Sequence, residues 1–395
     1  MLKPQRLIVL LAALVAFGPL SVDMYLPSLP AIADDLGARH AQVQMTIGVF
    51  LGGLCLGMLL YGPLSDRFGR RRLLLGGIVL YLLASLGCAL AAQVEHLLFW
   101  RFLQALGGAA ASVLGRTLVR DLFPLDEAAR VLSLMHLVSM LATLAAPLIG
   151  GYLMLLAGWR SLFVLLAVFS AVCLVAVAWK IPETLPPAKR GASVGQVFRA
   201  YGRMAVQPLA IGYILCMGLG FGGMFAFITA SPFVYIDYFG LSPLGYGWLF
   251  GLNILGIIIA TWLNARLVKR LGPQRLLSIG TTIAALAGAA LLVVGISGWG
   301  GLPAVAAGVV LYVSITGLLG ANCLASLLAA FPHQAGASAG LAVACQFGLG
   351  MACSALVGAL YDGTPLPMCL IMGASGLGTW LALRFARRQK VSAQL

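Results

Sequence analysis

The chain alternates between long apolar segments and short polar breaks. A helix that crosses a bilayer needs about 20 consecutive, mainly apolar residues, and such segments recur along the whole sequence. The first set is predicted near residues 7–29, 41–62, 73–92, 97–119, 130–155 and 161–180. The second set is predicted near residues 208–236, 244–265, 276–297, 302–330, 337–360 and 366–384. The pattern indicates an all-α membrane protein with twelve transmembrane helices.

The longest polar stretch, 181–207, separates the two sets of segments. It contains several prolines and basic residues, among them Lys189 and Arg190, which is typical of a linker. We therefore predict an N-terminal six-helix bundle at 1–180, a cytoplasmic linker at 181–207 and a C-terminal six-helix bundle at 208–395.

The two halves share a short motif. The polar connection at 62–73 recurs in reduced form at 267–275, displaced by about half the chain. The residues that match at one constant offset are Leu64, Arg67, Gly69 and Arg72 with Leu267, Arg270, Gly272 and Arg275. This repeat predicts two pseudo-symmetric bundles, each with a basic turn between its second and third helices.

Composition excludes a soluble protein. Of the 395 residues, 61% are hydrophobic and 9% charged, with a net charge of +14, whereas soluble domains carry about 25% charged residues. The basic residues lie in the polar breaks, so they indicate orientation in the membrane and not nucleic-acid binding. If the N-terminus is inside, the outer breaks hold only Arg39 and Arg160. Both termini are therefore predicted to be cytoplasmic, and Leu7–Leu29 is interpreted as a retained first span.

Several kinds of site are not predicted. The eight Cys residues form no CxxC pair and the four His residues are scattered, so no metal site is expected. The sequence contains no phosphate-binding GxxxxGK loop and no catalytic arrangement, which argues against an ATPase or another enzyme. No cofactor is expected, and an ion gradient is the predicted energy source.

Asp23 is the one acidic residue well inside a predicted span. Charged groups at membrane depth are costly and usually functional, and desolvation favours the neutral form of a carboxyl, so Asp23 is a candidate proton carrier. Arg101 is predicted at a similar depth and could pair with it. Arg116 follows on the same helix as a second embedded charge. The alternatives are a structural or wetted Asp23, a snorkelling Arg101, and an Arg116 that snorkels or pairs with Asp121.

Two further patterns suggest moving parts. The connection at 62–73 could form a gate in which Asp66 meets a helix N-terminus and nearby arginines; alternatively, its arginines serve only as a topology signal. The gate residues are Gly62, Asp66, Arg67, Gly69, Arg70 and Arg71. In the fifth span, Pro147 would free a backbone carbonyl, and Gly150 and Gly151 would allow close helix approach.

Together these motifs resemble those of the major facilitator superfamily of secondary transporters. The 62–73 connection resembles motif A, Arg101-x-x-Gln104 resembles motif B, and Ala146-Pro147-x-x-Gly150-Gly151 resembles the antiporter motif. Segments 23–27, 119–123, 230–235 and 250–253 are similar to the bicyclomycin/chloramphenicol-resistance (Bcr/CflA) drug exporters. The resemblance implies that Asp23 and Arg101 handle protons and drug. A second acid found in some related exporters is replaced here by Val15.

The resemblance implies a monomeric antiporter of the bacterial inner membrane that exports hydrophobic drugs in exchange for protons. Its partners would be a drug, the proton and membrane lipid, with no nucleic acid. The cavity is expected between the halves near the midplane. The candidate lining residues are Met24, Tyr25, Met135, His136, Met140, Phe225, Phe227, Tyr235, Trp248, Asn253, Asn322 and Gln346. The alternatives are a proton-coupled uptake symporter for a small metabolite and, more remotely, a membrane sensor or scaffold.

Overall fold

The architecture is that of a computed structural model, which describes residues 4–186 and 194–392. Within these ranges all regular secondary structure is helical. In the N-terminal half the helices are α1 Pro4–Asp23, α2 Leu29–Asp35, α3 His40–Phe68, α4 Arg70–Ala89, α5 Val94–Leu122, α6 Leu125–Ala157 and α7 Arg160–Lys180. The rest are α8 Val194–Ala205, α9 Pro208–Pro232, α10 Pro243–Leu271, α11 Pro273–Ser297, α12 Gly301–Ser314, α13 Thr316–Ala330, α14 Ala335–Ala359 and α15 Leu366–Ser392.

The prediction of twelve spans is confirmed in the part of the chain that the structure describes. Twelve helical stretches there are long and apolar enough to cross a membrane. Four of them combine more than one helical segment: the first joins α1 and α2, the seventh joins α9 to a π-helical turn at Phe233–Tyr238, the tenth joins α12 and α13, and the eleventh joins a 3-10 turn at Pro332–Gln334 to α14. Interrupted spans need their freed backbone groups satisfied by surrounding protein or by a water-filled cavity.

The chain divides into two compact units. Unit 1 comprises Met1–Arg39 and Val49–Gln196, and unit 2 comprises His40–Gly48 and Val197–Leu395. The helix α3 therefore contributes its first residues to unit 2 and the remainder to unit 1.

The two units have matching internal contacts. In unit 1, α4 packs on α5 and α7, and α1 packs on α5 and α6. In unit 2, α11 packs on α12, α13 and α15, and α9 packs on α13 and α14. If the six spans of each unit are numbered one to six, the same pattern is found in both units. The third span packs on the fourth and sixth, and the first span packs on the fourth and fifth. This is the structural counterpart of the internal repeat.

The connection at 62–73, predicted as a loop, is almost entirely helical. The helix α3 continues to Phe68 and α4 begins at Arg70, so only Gly69 lies outside a helix. Its φ of 96° requires glycine, and the matching Gly272 between α10 and α11 has a φ of 74°. Charged side chains at these helix ends let the helices extend beyond their apolar cores, which is why hydrophobicity alone underestimates their length.

The predicted linker contains a helix of its own. Tyr201 and Met204 of α8 are buried, and Met204 belongs to the hydrophobic core of unit 2. Arg199 and Arg203 on the opposite face are exposed. The linker residues Lys189 and Arg190 lie outside the described residues.

We predict that Gly69→Ala and Gly272→Ala each destabilise the protein by about 1–2 kcal/mol, because an L side chain is strained at positive φ. The thermal unfolding midpoint in detergent measures this. Gly320→Ala is the matched control, since an added Cβ there has no neighbour within 4 Å and its φ is not positive. Equal midpoints for all three variants would contradict the prediction.

Candidate functional site

The first span is broken directly after Asp23. The helix α1 ends at Asp23, Met24 and Tyr25 form a turn, and a 3-10 turn at Leu26–Ser28 leads into α2. Prolines explain the break, because Pro27 and Pro30 supply no backbone N–H to continue the helical pattern. Asp23 is 6% exposed, and Met24 and Tyr25 are each 1% exposed. The break is thus enclosed by protein.

The carboxyl of Asp23 has a hydroxyl as its partner. The Thr143 hydroxyl of α6 donates a hydrogen bond to it. Among the described residues no cation lies within 4.0 Å of Asp23. A structural ion pair, one of the alternatives raised by the sequence, is therefore not formed here. The arrangement leaves a buried carboxyl without an ion-pair partner in the described chain.

Arg101 is completely buried and caps α1. Its Nη1 donates to the carbonyl oxygen of Ser21 at 3.0 Å and to Oε1 of Gln104 at 2.7 Å. Carbonyl groups at a helix C-terminus lack intrahelical partners and carry partial negative charge, so a cation there is favourable. Arg101 does not snorkel, and the predicted Asp23–Arg101 ion pair is not formed. Spacing along two helices could not show which way each side chain turns.

Aromatic rings enclose the rest of the guanidinium. Its central carbon lies 4.5 Å from the ring centroid of Tyr25, 4.2 Å from that of Phe50 and 5.9 Å from that of Phe163. Such contacts stabilise a desolvated cation. The Nε and Nη2 groups of Arg101 are buried without a hydrogen-bond partner in the described chain. These donors are therefore available to a group that enters the site.

A hydrogen-bonded chain connects three helices around Arg101. Nε2 of Gln104 in α5 donates to Oγ of Ser85 in α4 at 2.9 Å, and Ser85 in turn donates to the Tyr81 carbonyl at 2.8 Å. The Tyr81 hydroxyl lies 2.5 Å from Oγ of Ser21 in α1. Sequence reasoning missed Ser21, Tyr81, Ser85 and Thr143. Polar residues within apolar spans were the available signal.

The fifth-span motif packs directly on the break. A Cβ added at Gly150 would lie 1.9 Å from the carbonyl oxygen of Met24, so only glycine fits. Pro147 has no N–H to bond the carbonyl of Thr143, four residues earlier, and the Thr143 hydroxyl contacts Asp23. Gly151 is also buried. The motif therefore serves the geometry around Asp23.

The predicted gate is a network centred on Arg70. Its Nη1 lies 2.6 Å from Oδ2 of Asp121, its Nη2 lies 3.5 Å from Oδ1 of Asp66, and its backbone N–H donates to Oε1 of Glu183 at 2.9 Å. The hydroxyl of Thr184 donates to the same Asp121 oxygen at 2.7 Å. This network joins the ends of α3, α5 and α7 to the start of α4.

The geometry corrects one detail of the gate prediction. The acid at the N-terminus of α4 is Glu183, from the predicted linker, and not Asp66, because Asp66 on α3 reaches the Arg70 side chain instead. A Cβ added at Gly62 has no neighbour within 4 Å, and the part of Gly62 in a gate stays a prediction.

The other arginines of the gate are placed differently. Arg71 Nη2 donates to the Ala178 carbonyl at 2.6 Å, which ties α4 to α7. Arg67 is exposed and lies over the ring of Phe68.

Arg116 is exposed and does not pair with Asp121, which is engaged by Arg70 and Thr184. It lies on the same helix as the buried Arg101 but has a quite different environment. The alternative of an Arg116–Asp121 pair is therefore not supported.

The proposed cavity residues of unit 1 differ in burial. Met24, Tyr25 and Met135 are buried, Met140 is half-buried and His136 is exposed. Contact with a substrate stays a prediction for all five.

The proposed cavity residues of unit 2 include an aromatic group. Phe227 stacks on Phe250, with centroids 6.0 Å apart, and Tyr235 lies 6.0 Å from Phe227 and 6.2 Å from Tyr246. The Tyr235 hydroxyl is buried without a hydrogen-bond partner in the described residues. The sequence had not singled out Tyr246, and Phe250 appeared only within a family-like segment.

The remaining proposed cavity residues of unit 2 differ in polarity and burial. Asn253 is buried, and its Oδ1 has no partner in the described residues. Asn322 donates to Asn264 at 2.7 Å, which is a structural role. Phe225 is buried, Gln346 is half-buried, and Trp248 is 70% exposed. Their contact with a substrate also stays a prediction.

Comparisons with known proteins agree on one family. The model described as Major Facilitator Superfamily matches residues 10–355. The chain is 34% identical to the bicyclomycin resistance protein homolog of Haemophilus influenzae, over 98% of this chain and 97% of that protein. It is 33% identical to the chloramphenicol resistance protein of Pseudomonas aeruginosa, over 73% of this chain and 68% of that protein. The crystal structure of a D-xylose–proton symporter has the same fold, with a TM-score of 0.72, 18% identity and 96% coverage of both chains.

We predict that Gly150→Ala destabilises the protein by about 1–3 kcal/mol, because the added methyl group overpacks the contact between α6 and the Met24 backbone. The change in thermal unfolding midpoint in detergent tests this. Gly18→Ala on α1 is the matched control, because a Cβ there has no neighbour within 4 Å. If the two variants unfold at the same temperature, Gly150 does not have the packing role assigned to it.

Proposed function

The chain belongs to the major facilitator superfamily and, within it, to the bicyclomycin- and chloramphenicol-resistance group, and we propose that it exports hydrophobic drugs in exchange for protons. The twelve apolar helices of the described residues, together with the relatives, make it a multi-pass bacterial membrane protein. The relatives named for drug resistance support a drug as the exported substrate.

The observation that carries the proposal is the buried carboxyl of Asp23 at the break in the first span. A charged carboxylate there has no ion-pair partner among the described residues, whereas the protonated form needs none. Asp23 would therefore bind a proton from outside and release it when the site opens to the cytoplasm. Drug transport and proton transport are coupled if the drug binds better to one charge state of the Asp23 carboxyl than to the other.

Arg101 would set the electrostatics of that exchange. Its guanidinium is held at the end of α1 with two donors unused. A positive charge near Asp23 favours the carboxylate and so promotes proton release. Rearrangement of the α1 break during transport would change the distance between the two groups. Arg101 thus acts by tuning Asp23 and not as a proton carrier.

The Arg70 network would act as a latch at the cytoplasmic end. Basic residues concentrate in the breaks on this side, which supports cytoplasmic termini by the positive-inside rule. Alternating access requires contacts that hold one state and break in the other. The network links the predicted linker, through Glu183 and Thr184, to the ends of three spans. We expect no cofactor other than the coupling proton, and a monomer located in the inner membrane.

Uptake with protons remains the second hypothesis. The symporter structure shares only the fold, at 18% identity, and so carries no argument about substrate or direction. The fifth-span motif packs on the Asp23 turn and resembles the antiporter motif, which favours exchange. Proteoliposomes with an imposed pH gradient, tested against a panel of hydrophobic drugs, separate the two, because exchange moves drug and protons in opposite directions.

We predict that Asp23→Asn abolishes drug-driven proton movement while the protein still inserts and folds. The amide keeps the shape of the side chain but cannot bind or release a proton. Proton flux is read with an internal pH dye in proteoliposomes, and an unchanged thermal midpoint confirms folding. Exchange at the unmutated rate in this variant would refute the assignment of Asp23.

Arg101→Ala should lower exchange far more than Arg116→Ala. Removal of Arg101 deletes the positive charge proposed to tune Asp23, and it leaves the Ser21 carbonyl and Oε1 of Gln104 without this donor in a buried site. Arg116 forms no ion pair within the described residues, so its removal breaks no contact of that kind. Initial exchange rates, normalised to folded protein, provide the comparison. An equal loss of exchange rate in both variants, or a greater loss in Arg116→Ala, would show that the prediction names the wrong arginine.

A further inference from the structure

The first residues of α3, His40–Gly48, belong to unit 2 and pack there on α14. A Cβ added at Gly48 would lie 3.4 Å from Oγ of Ser354, and one added at Gly358 would lie 3.4 Å from the carbonyl oxygen of Ala41. Ser354 and Gly358 both belong to α14. We name this contact between His40–Gly48 and α14 the α3 seam.

The α3 seam is close-packed but incompletely hydrogen-bonded. Gln44 is fully buried, and neither atom of its side-chain amide has a hydrogen-bond partner in the described residues. Ser354, in contrast, is bonded to Thr229 of α9 at 2.7 Å. An unpartnered buried amide is costly, so release of the seam would recover hydration for Gln44. Such a contact is suited to form and break.

A titratable cluster lies at the end of the α3 seam. The ring of His40 packs on Phe233, with centroids 4.7 Å apart. Its Nδ1 lies 2.9 Å from the Tyr361 hydroxyl, and its Nε2 lies 3.9 Å from Oδ2 of Asp237. Both His40 and Asp237 are about one third exposed, so protons and water reach them.

The other charged groups around His40 are Arg39, next to it in the chain, and Asp362, next to Tyr361. Burial, together with the carboxylates of Asp237 and Asp362, raises the pKa of Tyr361. The phenol therefore keeps its proton and donates to neutral His40. When His40 is protonated, its Nδ1–H donates to the phenol oxygen instead, and the new positive charge faces Asp237.

We propose that His40, with Asp237 and Tyr361, forms a second proton-binding site, and that a proton bound there holds the α3 seam closed. The proposal rests on the proposed drug–proton exchange and deepens it. With a cytoplasmic N-terminus, His40 follows the first span and faces the outside. A proton taken up from the outside would stabilise the packing of His40–Gly48 on α14 within unit 2 and so favour return of the carrier after drug release.

The seam is tested by thiol accessibility. Ser354→Cys places a thiol of similar size within the α3 seam, in a background in which the eight native cysteines are replaced. A membrane-impermeant thiol reagent is added outside, and labelling is divided by that of Ala359→Cys, an exposed site near the end of α14. This ratio removes the intrinsic pH dependence of the reagent. Imidazoles change charge between about pH 5 and 8, which sets the range.

On acidification the labelling ratio is expected to fall about two- to fivefold, the effect of a partly exposed ion pair. In His40→Gln it should be independent of pH, because glutamine can still bond Tyr361 but cannot titrate. His96→Gln, a second exposed histidine predicted on the outer side, is the matched control and should keep the full response. Asp237→Asn keeps His40 but removes the charge it faces, and should reduce the response.

A ratio that does not vary with pH in the parent protein, or a full response in His40→Gln, would overturn the proposal. If His40→Gln fails to fold, a full response in Asp237→Asn would overturn it equally. The labelling needs no drug. If drug–proton exchange fails but the labelling still responds to pH, the proposed function is refuted and the proton site stands. If exchange occurs but the labelling does not respond to pH, the proton site is refuted and the proposed function stands.

Discussion

A helix that breaks inside a bilayer must have its freed carbonyl groups satisfied by the surrounding protein, and this requirement organises unit 1. The break after Asp23 leaves the end of α1 without intrahelical partners. Arg101 reaches the Ser21 carbonyl from α5, and Gly150 brings α6 into contact with the Met24 carbonyl. Three helices are thereby positioned by one irregular turn. The turn is also where the embedded carboxyl lies.

The same requirement keeps the two buried charges apart. Arg101 is committed to a helix end and to an aromatic enclosure, so it does not neutralise Asp23. A tight buried ion pair would hold the carboxylate in its charged form and make protonation unfavourable. A hydroxyl partner from Thr143 instead accommodates both protonation states, because a hydroxyl can donate to a carboxylate or accept from a carboxylic acid. A hydroxyl partner would therefore suit the cycle between the two states that we propose for Asp23.

Polar contacts lie at both ends of α3. The Arg70 network joins the end of α3 to α4, α5 and the residues after α7, and the His40 cluster holds the beginning of α3 against α14. One continuous helix therefore carries a charged contact at each end. The repeat does not duplicate the first of these contacts. Lys269 of the second half lies where Asp66 lies in the first, so the turn geometry is shared and the ion pair is not.

The sequence by itself determined the features that depend on local composition. Helix-length apolar runs predicted the twelve spans, and the repeat predicted the shared glycine turn at Gly69 and Gly272. Asp23 was predicted as a candidate proton carrier because it is the one acidic residue well inside a span. Tertiary structure alone decided the partners. Arg101 caps α1, and Thr143 contacts Asp23. Glu183, and not the predicted Asp66, accepts from the N-terminus of α4, and His40 contacts Asp237 and Tyr361. The physical reason is that periodicity gives the face of a residue on its own helix, whereas a contact also depends on the rotation, depth and crossing of the neighbouring helix.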